Sequence, residues 1–232
     1  MPEFSKVKRF GIELEGGWDV APRDATRFHG DSSVDVPGRW RVGEIVSPIL
    51  SDWQTGSDFV LVNYPDHTGA SCGLHVHMSF SAELASIAGR AENAYHVSLL
   101  ADSEDYQRGL LGRLRDVGKE IKITSKAFWQ RLDGENSYCR PTWSPRNVRE
   151  SDRYRAVNFA AFSRHNTVEI RVLPMFSKRQ ISVRMLREVL TFTDRYLTAA
   201  VTRDCAPTSD IVRTFPGAMA EPQAETITRE VF

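Results

Sequence analysis

The chain has 232 residues, of which 30 are basic and 30 acidic, so its formal net charge at pH 7 is +0. This balance argues against a nucleic-acid binder and against a protein held to membranes by electrostatics. No apolar run is long enough to span a membrane, and the amino terminus lacks the apolar segment of a secretory signal. Three widely spaced cysteines form no CxxC pair, so we expect no disulfide framework and a cytoplasmic location.

Alternation of apolar and polar residues predicts strands in the first third of the chain. Two of them, FGIELEGGW at 10–18 and RVGEIVSP at 41–48, are joined by the turn-rich sequence GDSSVDVPG at 30–38. Two more are predicted at 59–65 (FVLVNYP) and 72–80 (CGLHVHMSF). These segments therefore predict a sheet built largely from the amino-terminal part of the chain.

The rest of the chain is predicted to be mainly helical. From 81 to 131 apolar residues recur at helical spacing, with Asp102 or Ser103 as the predicted N-cap of a helix. A strand with the sequence TVEIRVLP follows at 167–174, and a long helix follows that strand. Strands grouped around a helical middle favour an α+β fold.

Three of the predicted strands share one design, with an apolar face and a face that carries two ionisable groups. Side chains two residues apart on a strand point to the same side. A solvated face of an antiparallel sheet would explain any one of these strands, but three together predict that their polar faces lie side by side. The paired residues are Glu13 and Glu15, His75 and His77, and Glu169 and Arg171.

A surface of this composition needs cations. Crowded carboxylates repel one another, and oxygen ligands combined with an imidazole suit Mg²⁺ or Mn²⁺. Glu44 adds a further carboxylate from 41–48, although Val42 and Val46 share its face of the strand.

The motifs on these strands resemble those of the carboxylate–amine ligases related to glutamine synthetase and glutamate–cysteine ligase, and especially the amidoligases. The GxHxHxS strand of glutamine synthetases is matched by Gly73–Ser79, their Glu-x-Glu strand by residues 13–15, and their Glu-x-Arg strand by residues 169–171. Pro174 follows the last of these, slightly displaced. The amidoligases add three patterns, which are matched by Gly43–Pro48, by Tyr138–Pro141, and by Tyr154 with Asn158. The resemblance covers about residues 9–200 in the family's order, and no family pattern is found between Glu83 and Gln130.

The resemblance implies a curved, mostly antiparallel sheet with helices packed on one face. It implies a catalytic domain at 1–202, with 81–131 as a helical insertion, and an extended tail at 203–232. It also implies formation of an amide or peptide bond with ATP and Mg²⁺ (or Mn²⁺), through an acyl phosphate. The implied substrates are small-molecule or peptide carboxylates and amines, with neither nucleic acid nor membrane as a partner, and a homo-oligomer is a further expectation.

The implied site residues fall into three groups. Arg171, His77 and Arg155 would act on the phosphoryl group or the substrate, and Arg171, Asn158 and His77 would contact the nucleotide. The metal ligands would be Glu13, Glu15, Glu44, His75 and Glu169.

Three other functions use the same residues: a metal-dependent hydrolase, a phosphotransferase acting on a guanidino group, and a non-catalytic peptide-binding module. Among individual residues, Asp31 is interpreted as a turn residue rather than a ligand. Cys139 is interpreted as a structural thiol. Trp129 and Trp143 are interpreted as packing residues.

Overall fold

The computed structural model describes residues 4–101, 103–136, 139–140 and 154–202. In these ranges the strands are β1 (Arg9–Trp18), β2 (Phe28–His29), β3 (Arg41–Val46), β4 (Gly73–Ser79), β5 (Val157–Asn158) and β6 (Val168–Pro174). The α-helices are α1 (Trp53–Val62), α2 (Ile87–Ala101), α3 (Glu104–Glu120), α4 (Lys126–Asp133), α5 (Ala161–His165) and α6 (Arg179–Thr202), with a short 3₁₀ turn at Ala25–Arg27.

The six strands form one sheet in the order β2-β3-β1-β4-β6-β5, and every pair is antiparallel. The predicted α+β class and antiparallel pairing are therefore confirmed. The strands that carry the paired ionisable residues, β1, β4 and β6, are adjacent in the interior of the sheet. Their positions bring the three polar faces onto one surface.

The opposite face of the sheet is buried in the hydrophobic core. Ile12, Val76 and Ile170, from the three interior strands, are completely buried there. They belong to the same apolar cluster as Met185 and Val189 of α6. Burial of this face determines the register of the strands, because a slip of one residue would turn the apolar side chains toward the polar surface.

The prediction of a strand at 59–65 is wrong, because α1 occupies most of this segment. The helix begins after Asp52, whose carboxylate accepts hydrogen bonds from the backbone N–H of Thr55 at 2.8 Å and from its hydroxyl at 2.9 Å. Phe59 and Val60 are buried, and α1 packs against α6. Tertiary packing therefore overrides the β propensity of the sequence FVLV.

Three helices, α2 to α4, lie in the segment predicted to be helical. Ser103 caps α3, since its hydroxyl accepts from the backbone N–H of Tyr106 at 3.2 Å. Trp129 packs against Phe128 and donates its indole N–H to the carbonyl of Ile123 at 3.0 Å, as a packing residue would. Within the described ranges, no helix combines the length and the apolar character needed to cross a lipid bilayer.

Several residues singled out in the sequence lie outside the described ranges. They are Asp102, Tyr138, Pro141, Trp143 and the predicted tail at 203–232.

Candidate metal centre on the polar face of the sheet

The centre of the site is a close group of imidazoles and carboxylates on β1, β4 and β6. The register aligns Glu13 with His75 and aligns His77 with Glu169. His75 Nδ1 lies 3.1 Å from a Glu13 oxygen and 3.6 Å from oxygens of both Glu15 and Glu169. His77 Nε2 lies 3.0 Å from the other Glu13 oxygen and 4.0 Å from Glu169. Side chains from three strands therefore converge, as the alternation predicted.

The carboxylates and imidazoles of this group influence one another's protonation. Burial alone would raise the pKa of Glu13, but the two imidazoles hold the pKa of this carboxyl well below its usual range. Burial alone would lower the pKa of His77, but the carboxylates of Glu13 and Glu169 raise it. The other ring nitrogen of His77, Nδ1, lies 3.1 Å from the hydroxyl oxygen of Thr167. Glu13 is thus held as a carboxylate, which is the form that ligates metal.

Glu169 is fixed by two donors. Arg171 Nη1 donates to one of its oxygens at 2.5 Å, and the side-chain amide of Asn158 donates to the other at 2.6 Å. Asn158 is itself oriented, because its side-chain carbonyl accepts from the backbone N–H of Ala160 at 3.0 Å. Burial alone would lower the pKa of Arg171, but nearby carboxylates, led by Glu169, raise it. The guanidinium group also faces the ring of Tyr154, 5.9 Å from its centroid.

A second group of carboxylates lies toward β3. Glu15, Asp31 and Glu44 each offer an oxygen, and these oxygens lie within 4.8 Å of one another. The Glu15 carboxylate also accepts a hydrogen bond from the backbone N–H of Gly73. Burial, and then repulsion by neighbouring carboxylates, raises the pKa of Glu44 to about 8. Asp31 has the predicted turn geometry, since it accepts from the backbone N–H of Ser33 at 2.8 Å, but its carboxylate also joins this group.

The donor atoms fit a hard divalent cation. One group contains Glu13, His77 and Glu169, and the other contains three carboxylates. Such oxygen-rich sets suit Mg²⁺ or Mn²⁺ better than zinc. The raised pKa of Glu44 reflects first its burial and then repulsion by neighbouring carboxylates, which a cation would relieve. The geometry gathers His77 with Glu13 and Glu169, whereas the sequence assigned His75 to the metal. Both imidazoles lie within 4.0 Å of carboxylate oxygens and are candidate ligands.

Two cavities open beside these groups, and Glu13 and Arg171 line both of them. The larger cavity, about 480 Å³, reaches the second group of carboxylates and is also lined by Ser32, Ser33, Ser71, His75, Arg131 and Tyr154. The smaller cavity, about 160 Å³, is lined on its other sides by His77, Asn158, Ala160, Ala161, Arg164, His165 and Glu169.

Two predicted residues lie apart from these cavities. Arg155 is half-buried, forms a backbone bridge with Arg140 and lines neither cavity. Its role as a second cation stays a prediction. Cys139 is buried, and burial raises the pKa of its thiol to about 11. This agrees with a structural thiol, because a nucleophilic cysteine needs a lowered pKa.

Three residues at the site were missed in the sequence. Thr167 lies two residues before Glu169, so the alternation of β6 could have placed it on the same face. His165 lies at the end of α5, with its ring centroid 6.2 Å from that of His77. Arg131 comes from α4, and no local pattern distinguishes it from an ordinary helical arginine.

Searches against protein families, curated proteins and solved structures gave no match to this chain.

Proposed function

We propose that this protein is an ATP- and Mg²⁺-dependent ligase that joins a carboxylate to an amine. The observation that carries the proposal is the convergence of Glu-x-Glu, His-x-His and Glu-x-Arg from adjacent strands onto one face of the sheet. Two groups of side chains that could ligate a cation lie on and beside this face, and Arg171 borders both cavities.

The chemistry explains why such a surface is sufficient. A carboxylate is a poor acyl donor, because its leaving group would be oxide. Transfer of the γ-phosphoryl group of ATP to the carboxylate releases ADP and forms an acyl phosphate. The amine then attacks the acyl carbon and phosphate leaves. The protein has to align two anions and offset the charge that develops on the phosphoryl oxygens, and it needs no nucleophile of its own.

The charged residues have separate roles in this proposal. Glu15, Glu44 and Asp31 would hold a cation on the side of the larger cavity, and Glu13 and Glu169 with an imidazole would hold one nearer the smaller cavity. Bound Mg²⁺ or Mn²⁺ would neutralise charge on the phosphate oxygens.

Arg171 is the candidate for contact with the transferring phosphoryl group. Its planar guanidinium matches phosphate geometry, and its ion pair with Glu169 at 2.5 Å fixes its position. Its raised pKa keeps it cationic throughout the reaction. The larger cavity would take the phosphates of the nucleotide, and the smaller cavity the substrate carboxylate.

Hydroxylamine trapping tests the proposal. The protein is incubated with ATP, Mg²⁺, hydroxylamine and a panel of amino acids and short peptides, and both hydroxamate and ADP are measured. An acyl phosphate would give hydroxamate and ADP in equal amounts, and the amount of both would depend on which acid is supplied. Glu169→Gln should abolish both products, whereas Glu83→Gln, at an exposed position outside both cavities, should not.

The alternative functions give different products. Hydrolysis of a substrate without ADP release would indicate a metal-dependent hydrolase. A phosphorylated guanidino compound without hydroxamate would indicate a phosphotransferase. Peptide binding in the absence of any turnover would favour a binding module.

A further inference from the structure

Arg131 is a buried charge that forms its hydrogen bonds with the backbone. It projects from α4 and is only 2% exposed. Its guanidinium group donates to the carbonyls of Arg171 at 3.0 Å, Leu173 at 3.2 Å, Cys72 at 3.2 Å and Ala70 at 3.4 Å. Among the described residues, no carboxylate lies within 4.0 Å of it. A buried arginine that donates to four carbonyls fixes the relative positions of the segments that carry them.

The first segment is an irregularity in β6 at Arg171. Leu74 pairs with Leu173 and Val76 pairs with Ile170, so β6 has one residue more than β4 between these pairs. Such a bulge leaves backbone groups unpaired and changes the direction of a side chain. The N–H of Arg171 donates to the carbonyl of Ala156 at 2.9 Å, and the carbonyl of Arg171 accepts from Arg131. Arg131 therefore completes the hydrogen bonding at the position that directs the Arg171 side chain.

The second segment is the peptide unit between Cys72 and Gly73. Its carbonyl accepts from Arg131 and from the backbone N–H of Met175, while its N–H donates to Glu15. Because a peptide unit is planar and rigid, a shift at the carbonyl moves the N–H that orients the Glu15 carboxylate. A single peptide unit therefore connects Arg131 to Glu15, a candidate metal ligand.

We propose that Arg131 is a positioning residue, which holds the β6 bulge and the 72–73 peptide so that Arg171 and Glu15 are aligned beside the larger cavity. The inference rests on the proposed function only for the identity of the ligands, which are a phosphoryl group for Arg171 and a metal ion for Glu15. It assigns a role to the last residue of the predicted helical insertion, 81–131.

The test is Mn²⁺ binding without nucleotide, measured on folded Arg131→Lys. Lysine keeps the positive charge, but its single nitrogen has three donors and cannot reproduce the two-nitrogen fork that bonds to four carbonyls. Loss of a residue that orients a metal ligand typically weakens metal affinity about 10- to 100-fold, and we expect a loss in this range. In the ligase assay, kcat should fall more than the KM for ATP changes.

The control is Arg115→Lys, on α3, which alters a contact with the same carboxy-terminal end of α4 that carries Arg131. Arg115 donates to Asp133 at 2.6 Å and to the carbonyl of Leu132 at 3.4 Å, and in the described part of the chain it forms no hydrogen bond or ion pair with β4 or β6. Both variants should unfold at lower urea concentration, but only Arg131→Lys should lose Mn²⁺ affinity. Arg131→Gln, whose amide can still donate two hydrogen bonds, is measured in parallel.

The outcomes separate this inference from the ligase proposal. Unchanged Mn²⁺ affinity in a folded Arg131 variant would overturn the inference, whether or not ligase activity is found. Failure of both Arg131 variants to fold, with Arg115→Lys folded, would assign Arg131 to stability alone and would also overturn it. A wild-type protein that binds no Mn²⁺ would overturn it as well. Selective loss of Mn²⁺ affinity without any hydroxamate from the wild type would support positioning and reject the ligase.

Discussion

The pKa of the Glu44 carboxyl group responds to its burial and to repulsion by neighbouring acidic groups. Burial and neighbouring carboxylates raise its pKa from 4.5 to about 8. Since the folded protein binds this proton more tightly than the unfolded chain, the contribution to stability is complete below about pH 4.5 and is lost as the pH rises through about 8. Replacement of Glu44 by glutamine removes the titration, and we expect it to stabilise the metal-free protein at alkaline pH.

The size of the effect follows from the two pKa values. Each pH unit between them changes the free energy of unfolding by about 1.4 kcal/mol. The interval from 4.5 to about 8 sets an upper limit of about 5 kcal/mol. Glu44 is partly exposed, so solvent screening reduces the expected gain to about 2 kcal/mol at about pH 8.5. At about pH 5 the two proteins should have nearly equal stability.

Urea denaturation in EDTA over this pH range measures the difference. Glu83→Gln, at an exposed position, is the matched control and should follow the wild type at every pH. Added Mg²⁺ should stabilise the wild type more than the Glu44 variant, because the cation replaces the proton. The reasoning is refuted if Glu44→Gln and wild type lose stability in parallel as the pH rises, or if the variant is the less stable protein at alkaline pH.

Three further substitutions test other groups of the site. Glu169→Gln should lower turnover at least about a hundredfold while changing metal-free thermal stability little, because removal of one carboxylate relieves repulsion among the acidic groups and offsets the hydrogen bond from Asn158 that the amide nitrogen cannot accept; a large loss of stability in calorimetry would make Glu169 a structural ion-pair partner. Arg171→Lys should be nearly as damaging as Arg171→Ala, with a loss of about 10²–10³ in kcat and a smaller change in ATP affinity, because lysine lacks the planar fork; near-normal steady-state turnover of the lysine variant would show a general electrostatic role instead. Gly73→Ala should weaken Mn²⁺ binding about tenfold or more, because a Cβ there would lie 2.2 Å from His75 Nε2. Gly112→Ala, where a Cβ meets nothing within 4 Å, is its control, and equal Mn²⁺ affinities of the two alanine variants would contradict the reasoning.

The interior of the sheet was predictable because strand alternation is a local signal. Residues two apart share a face whatever the rest of the chain does, so the grouping of His75 with His77 depended on nearby residues alone. Burial of Ile12, Val76 and Ile170 then required these polar faces to turn to the same side. Adjacency of the strands came from the resemblance and from the hypothesis that the carboxylates share a cation.

The error at α1 has a physical cause. Short apolar runs such as FVLV fit a buried strand and a buried helix equally well by periodicity. The deciding feature was Asp52, an N-cap residue placed three positions before Thr55, together with the contact between α1 and α6. The first of these was readable in the sequence, whereas the second depends on a residue more than a hundred positions away.

Arg131 and Asp31 show the limit of reasoning from local patterns. The partners of Arg131 are carbonyl groups, which every residue has, so no spacing of side chains points to them. Asp31 fulfils the turn geometry that its sequence predicts and also joins Glu15 and Glu44. A residue with an adequate local explanation gives no reason to look for a distant one.

In the part of the sheet that the structure describes, the two edge strands, β2 and β5, contain only two residues each. Strand β4 lies between β1 and β6 and pairs with both, so hydrogen exchange of its backbone amides should require opening of the domain. The amides of β2 and β5 should exchange through small local fluctuations. We therefore expect slow opening of the backbone that carries the histidines and glutamates of β1, β4 and β6. The backbone at Asp31, just after β2, and at Asn158, on β5, should open faster. A ligand could therefore enter or leave at either margin while the central donor atoms keep their arrangement.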